Sequence, residues 1–273
     1  GTDIGPVLPS IAERLPPAVG YRVNAGALDH FCAMVGTGSY LPGVVSESAG
    51  TVLSLSLLPT TWAFDPERKV SFHPGLHAGE ILLFNGVDSG GIALEWFRRE
   101  GLGDAGYDEI EEALHARTSR DAPIFLPYLS GVNPPDFFAT ARGAFLGLEL
   151  GHDRTDLVYA VEEGIAHLLR RNVDYLTAEP VAEITSTGGG AASPFWNQLK
   201  ADVCGVDVLV PDEREATCRG AAILALVTAG RLGGFEDADQ LDRPSVTRYR
   251  ADRTAERESR YRLFEDYLQR LYR

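Results

Sequence analysis

Three glycine-bearing turns stand where chemistry is possible. Residues 184–205 read ITSTGGGAASPFWNQLKADVCG, so a β-branched run hands over to a helix pattern through Gly188, Gly189 and Gly190. Residues 46–51 read SESAGT and place Gly50 beside the Thr51 hydroxyl. Residues 86–96 read GVDSGGIALEW, with Gly90 and Gly91 opening a helix pattern. A glycine at a strand end either makes a turn or lets a flat, bulky group such as a nucleotide lie against the backbone. A carboxylate, Asp29, opens a third helix pattern in residues 26–38, GALDHFCAMVGTG. In that position an aspartate is ordinarily a cap that accepts backbone N–H groups.

The elements that must position these turns alternate in type. Strand patterns are read at 20–27, 51–58, 80–84, 181–187 and 206–211, and residues 59–80 read as loop. Helix patterns are read at 29–35, 90–100, 107–116, 154–176, 193–204 and 215–230, with a charged C-terminal helix closing the chain. The clearest is 154–176, where Leu157, Val161, Ile165, Leu168 and Leu169 form one stripe. Asp153 and Asp156 lie at its start, with Arg170 and Arg171 towards its end, as the helix dipole favours. The alternation predicts an α/β class with a mixed sheet.

Composition narrows the function classes. The chain has 273 residues, 44% of them hydrophobic, which is an ordinary globular composition. Its net charge is −14, which argues against nucleic acid as a partner. No apolar run reaches the ~18 residues of a membrane span, and a cytoplasmic location is expected. Cys32, Cys204 and Cys218 lack metal-type spacing and are expected to be buried, reduced thiols. Lys69 and Lys200 are the only lysines, and neither follows a glycine, so a P-loop is excluded. HExxH, CxxC, GxGxxG after a strand and a GxSxG elbow are also missing, which removes most sequence-readable hydrolases, metalloproteases and dehydrogenases.

Taken in order, residues 26–38, 46–51, 86–96, 184–205 and 215–230 (EATCRGAAILALVTAG) resemble segments of the FGGY family of carbohydrate kinases. Residues 127–131 (PYLSG) and 142–164 (RGAFLGLELGHDRTDLVYAVEEG) are similar to that family's long signature. Two departures stand out: residues 131–135 read GVNPP where Gly-Glu-Arg-x-Pro is frequent, and Glu162 takes a place that is usually apolar. The resemblance implies a ribonuclease H-like, actin-like ATPase fold: an α/β domain with a mixed central sheet flanked by helices. It covers the family's second domain alone, so residues 1–273 are expected to form a single C-terminal, nucleotide-side domain. The N-terminal half, with its first phosphate loop, metal-binding aspartate and most sugar contacts, is expected upstream; the chain begins GTDIGPVLPS and its one methionine is Met34.

The resemblance also implies roles. Asp29 is the general base that takes a proton from a sugar hydroxyl. Gly50 and Thr51 hold phosphate, and Gly90 and Gly91 approach the phosphates or ribose. Gly188, Gly189, Gly190, Ala191 and Ser193 form the adenine slot, Ser193 hydrogen-bonding the base edge, while Phe195 and Trp196 are core. His30 is a candidate sugar contact, with a structural histidine as the alternative. No metal ligand is assigned in this chain. ATP and Mg²⁺ are the implied cofactors, a small sugar or polyol the substrate and the N-terminal kinase domain the partner; a homodimer stays open. The rival readings are a stand-alone nucleotide- or sugar-binding module and a different actin-like ATPase.

Overall fold

The computed structural model describes residues 1–14, 20–62, 64, 70–118, 121–131, 136–138, 140–241 and 244–272. Residues 132–135, which carry the departure after PYLSG, lie outside these. The chain forms two compact units: residues 41–211 with 246–273, and residues 1–40 with 212–245.

The larger unit is built on seven strands: β3 (Val44–Ala49), β4 (Leu53–Leu57), β5 (Ser71–Pro74), β6 (Ile81–Val87), β9 (Glu183–Thr187), β10 (Asp207–Pro211) and β11 (Val246–Tyr249). Their order is β11-β10-β9-β3-β4-β6-β5. β9 runs parallel to both β3 and β10, and the other pairings are antiparallel. A separate hairpin pairs β7 (Ile124–Leu126) with β8 (Ala144–Leu146). The helices are α3 (Gly91–Glu100), α4 (Tyr107–Ala116), α5 (Arg154–Leu176), α6 (Pro194–Cys204) and α8 (Ala255–Tyr272).

α5 is the central helix, packing on β4, β6 and β7 and meeting α3, α4, α6 and α8. It starts where residue types demand. Asp153 accepts the amides of Thr155 (2.7 Å) and Asp156 (3.0 Å), and Asp156 reaches back to the Asp153 amide (3.1 Å), closing a reciprocal cap. The stripe buries Val161, Ile165, Leu168 and Leu169 in one core with Leu53, Leu55, Ile184, Trp196 and Phe264. Arg170 and Arg171 fall short of the last turn. They tie α5 to α8 instead, Arg170 through Glu258 (2.8 Å) and Arg171 through Glu265, while Arg171 also grips Asp136.

The smaller unit contains β1 (Thr2–Pro6), α1 (Pro9–Arg14), β2 (Arg22–Ala25), α2 (Asp29–Thr37), α7 (Ala216–Thr228) and a 3₁₀ turn at Phe235–Gln240. β1 and β2 pair antiparallel with a bulge between Asp3 and Gly5. α2 and α7 touch backbone to backbone, because a Cβ on Gly36 would lie 2.0 Å from the Ala216 carbonyl oxygen and one on Gly220 would lie 1.8 Å from that of Cys32. Only glycine admits that approach.

Several expectations change. β3 and β5 lie where no strand was read, β5 inside the supposed loop 59–80. β3 hides from hydropathy because its sequence VVSESA buries Ser46 and Glu47. The strand read at 20–27 contracts to β2, and that read at 51–58 starts at Leu53, after the Gly50–Thr51 turn. Of the cysteines, Cys32 is buried and Cys204 half-buried, but Cys218 is exposed because it faces outward on α7. Among the described residues, no helix is long and apolar enough to cross a membrane.

Candidate functional site

Two turns of the larger unit face one cavity. The first leaves β3 at Ala49 and turns through Gly50 and Thr51. The start of α3 clamps it: the Gly91 amide donates to the Gly50 carbonyl (2.9 Å) and the Ile92 amide to that of Thr51 (3.0 Å). Close approach requires the glycines here, since a Cβ on Gly91 would lie 2.7 Å from the Gly50 oxygen and one on Gly90 would lie 2.8 Å from the Val52 carbonyl carbon. The helix N-terminus therefore spends these donors on the turn.

The second turn leaves β9 at Gly188, whose φ of 86° belongs to the left-handed side that glycine tolerates. A single 3₁₀ turn, Gly189–Ala192, follows, and Ser193 caps α6 by accepting the Trp196 amide (3.0 Å), with Pro194 in the first helical turn. The three glycines differ in purpose. Gly188 presses on the Ala49 backbone, and Gly190 lies against the Trp196 ring and Ala49. Gly189 alone has nothing within 4 Å of where a Cβ would stand.

The cavity between these turns is about 680 Å³, large enough for a nucleoside. Gly50, Thr51, Gly91, Gly189, Gly190, Ala192 and Ser193 line it, as do Glu95, Tyr107, Asp108 and Glu111 from α3 and α4, Glu162 from α5 and Trp196 from α6. Gly90, Gly188 and Ala191 do not; the first two fill packing positions, and the Ala191 carbonyl accepts from Asn197 (2.8 Å). The hydroxyl of Ser193 is committed to protein: besides capping α6 it donates to Glu111 Oε2 (2.5 Å). Glu111 Oε1 in turn accepts the Phe195 amide (2.7 Å), so one carboxylate staples α4 to the start of α6.

Electrostatics divide the acidic wall. Glu95 bonds Arg98 (2.7 Å) and the Tyr107 hydroxyl (2.8 Å), with Arg98 foremost in holding its carboxyl well below the usual range. Glu162 is the reverse case. It is 2% exposed, and its Oε2 has no hydrogen-bond partner. Burial, and then the nearby Glu111 charge, push its pKa from 4.5 up to about 8, against the pull of Lys200. Trp196 is core as expected; its ring nitrogen donates to the Glu162 carbonyl (3.1 Å).

Beneath the sheet's central strands, Lys200 is fully buried. It bonds Glu47 Oε2 (3.0 Å) and Ser186 Oγ (3.2 Å) and stands 4.9 Å from the centre of the Trp196 ring. Glu47, Glu111 and Lys200 escaped the sequence reading, since only the folded chain brings strands and helices far apart in sequence together. Glu162 carried a signal: it takes a place that is usually apolar in the family segment that residues 142–164 resemble.

Asp29 and His30 belong to the smaller unit. Asp29 is the first residue of α2, whose cap is Leu28, so the aspartate is not the helix cap. Its side chain is 84% exposed and accepts from the His30 amide (2.8 Å) and ring nitrogen (3.0 Å). The amide bond, first among these effects, keeps its pKa low, so the carboxyl is ionised at neutral pH. The Thr217 hydroxyl donates to the Asp29 carbonyl (3.3 Å), linking α7 to the start of α2. Among the described residues, no group of three or more His, Cys, Asp or Glu side chains is placed to hold a metal ion.

The mixed sheet flanked by helices, with glycine turns at strand ends, fits the actin-like ATPase class of α/β fold that the resemblance implied. The comparisons agree. The xylulose kinase of Lactobacillus acidophilus superposes with a TM-score of 0.86 at 24% identity, over 99% of this chain and 56% of the other. The glycerol kinase of Plasmodium falciparum, solved with ADP, does so with 0.82 at 20% identity, over 94% and 53%. In sequence, gluconokinase of Bacillus licheniformis is 29% identical over 83% of this chain and 52% of its own, and xylulose kinase of Staphylococcus epidermidis is 30% identical over 85% and 47%. Residues 48–229 match the C-terminal domain of the FGGY family of carbohydrate kinases. The chain belongs to that family, and it spans about half the length of the curated relatives it matches.

Proposed function

We propose that this chain is the nucleotide-holding half of an ATP-dependent kinase that phosphorylates a terminal hydroxyl of a sugar or polyol. One observation carries the reading: the cavity bounded by the Gly50–Thr51 turn and the Gly189–Ser193 turn, with Gly189 opening onto empty space that a side chain would fill. A purine nucleoside fits that volume. The Gly50–Thr51 turn offers the Thr51 hydroxyl and a backbone unobstructed by a Cβ, which suits an incoming phosphate. Gly90 and Gly91 serve this site by letting α3 press on that turn. The ADP bound by the Plasmodium falciparum glycerol kinase supports the same ligand class here.

Phosphoryl transfer relies chiefly on positioning and charge stabilisation. Bound ATP supplies the phosphoryl group. In the assembled enzyme the ionised Asp29 accepts the proton of the sugar hydroxyl as that oxygen attacks, and His30 orients the Asp29 carboxylate through its ring nitrogen. Among the described residues no group of three or more His, Cys, Asp or Glu side chains is placed to hold Mg²⁺; the ion would be held chiefly by the nucleotide's own phosphates and would neutralise their charge. The remaining sugar and phosphate contacts fall to an N-terminal domain of the kind that completes the relatives' length.

The test is calorimetric titration of ADP into the 273-residue chain and into Gly189→Val. The wild-type chain should bind, and the variant should lose at least tenfold in affinity. Equal affinity in the two proteins would show that the cavity is packing space.

A further inference from the structure

The cavity holds an acidic side chain that the phosphate chemistry does not use. Glu162 sits on α5 with its side chain buried, lines the cavity beside Trp196 and Gly190, and leaves Oε2 without a partner. A buried carboxyl oxygen with no bond is costly, and a site for a ligand is one way to satisfy it. The charged groups acting on it are known from each side. Glu111 on α4 repels a second negative charge, and Lys200 on α6 attracts one but is already bonded to Glu47 and Ser186. Glu95 and Asp108 add acidity to the same wall, and Glu111 also bonds His115 (3.1 Å). Burial and Glu111 favour its neutral form, and Lys200 opposes them.

A neutral carboxyl carries one O–H donor and a carbonyl acceptor side by side; an ionised one has acceptors only. Adenine presents the matching pair, an amino donor beside a ring-nitrogen acceptor. Guanine presents two adjacent donors, N1–H and its amino group, which match the ionised form. We propose that Glu162 reads the edge of the base in this cavity, pairing as a neutral acid with adenine, so that the preference for adenine over guanine weakens as Glu162 ionises. This rests on the nucleotide reading of the cavity and assigns its base specificity to one residue, one that departs from the family's apolar pattern.

The experiment is calorimetry with adenosine and guanosine on the 273-residue chain, from pH 6.5 to 8.5. Nucleosides avoid phosphate titration; adenosine does not titrate in that window, and guanosine N1–H begins to ionise only at its upper end, an effect that free guanosine titrated alongside corrects for. With ionisation near pH 8, the neutral fraction of Glu162 falls about fourfold across it. Adenosine affinity should fall about fourfold, guanosine affinity should hold or rise, and their ratio should fall by at least fourfold. Glu162→Gln keeps a donor beside an acceptor at every pH in nearly the same volume, so its ratio should stay flat. Glu162→Leu should bind adenosine at least tenfold more weakly, also without pH dependence. A wild-type ratio that is flat with pH, or a Glu162→Gln ratio that keeps the wild-type slope, overturns the role of Glu162 and leaves the nucleotide site standing. No binding of adenosine or ADP at any pH overturns the nucleotide reading, and this inference with it. A merely structural carboxyl would shift the melting temperature with pH but would not move the ratio.

Discussion

Replacing Lys200 by methionine strands the carboxylate of Glu47. Both side chains are fully buried, their 3.0 Å ion pair joins β3 to α6, and Ser186 on β9 completes the set. Methionine fills much of the lysine stem's volume, so the perturbation is electrical more than steric. Glu47 Oε1 already lacks a partner, and the variant would leave Oε2 without its cation as well. Breaking a buried pair from one side costs about 3–5 kcal/mol. Against a typical stability of about 5–15 kcal/mol that is a large share, and for a unit this size it corresponds to a melting temperature lower by roughly 6–20 °C. The decisive comparison is the double variant Lys200→Met with Glu47→Gln. Removing the second charge should return most of the loss, because the remaining amide needs no counter-ion. The assay is urea unfolding followed by tryptophan fluorescence, since Trp196 lies beside Lys200 and reports on the larger unit. A single variant within 1 kcal/mol of wild type, or a double variant no better than the single, would refute the reasoning.

In a two-domain enzyme containing this chain, Asp29→Asn should lower sugar phosphorylation by about 10²–10⁴-fold while leaving ADP affinity within about twofold, as a coupled ADP-release assay and calorimetry would show. His167, buried on α5, has a pKa lowered by burial from 6.5 to about 4. The unfolded chain therefore takes up a proton that the folded chain refuses, and stability is lost as pH falls from about 6.5 to about 4. His167→Leu should flatten that part of the acid limb by about 1–3 kcal/mol in urea titrations at fixed pH; an unchanged limb would assign it to other groups. The paired Glu163, 3.8 Å away, keeps its partners Arg257 and Arg260 in this variant.

Some features were legible residue by residue because their causes are local. The helix at 154–176 was read to the residue, since Asp153 caps it through amides two and three positions along and its apolar stripe repeats with the helical period. The glycine turns were also visible, because strand-end glycines next to helix patterns need no distant partner to stand out. Their division of labour was not. Which glycine packs and which opens onto space depends on Ala49, Val52 and Trp196, and those neighbours arrive only when β3, β9 and α6 assemble. Ser193 illustrates the same limit: its capping role follows from its place before Pro194, but its commitment to Glu111 joins residues 82 positions apart.

The amino-acid sequence by itself determined the α/β alternation and the candidate turns, because periodicity, capping and glycine punctuation act over a few residues, and the order of its motifs carried the resemblance to the family. Only the tertiary structure decided that VVSESA is a central strand, that Glu47 pairs with Lys200, and that Glu162 ends in the cavity wall with one carboxyl oxygen unpartnered. Each of those outcomes turns on charge and burial, and the field at a buried group is set by side chains that sequence distance does not reveal.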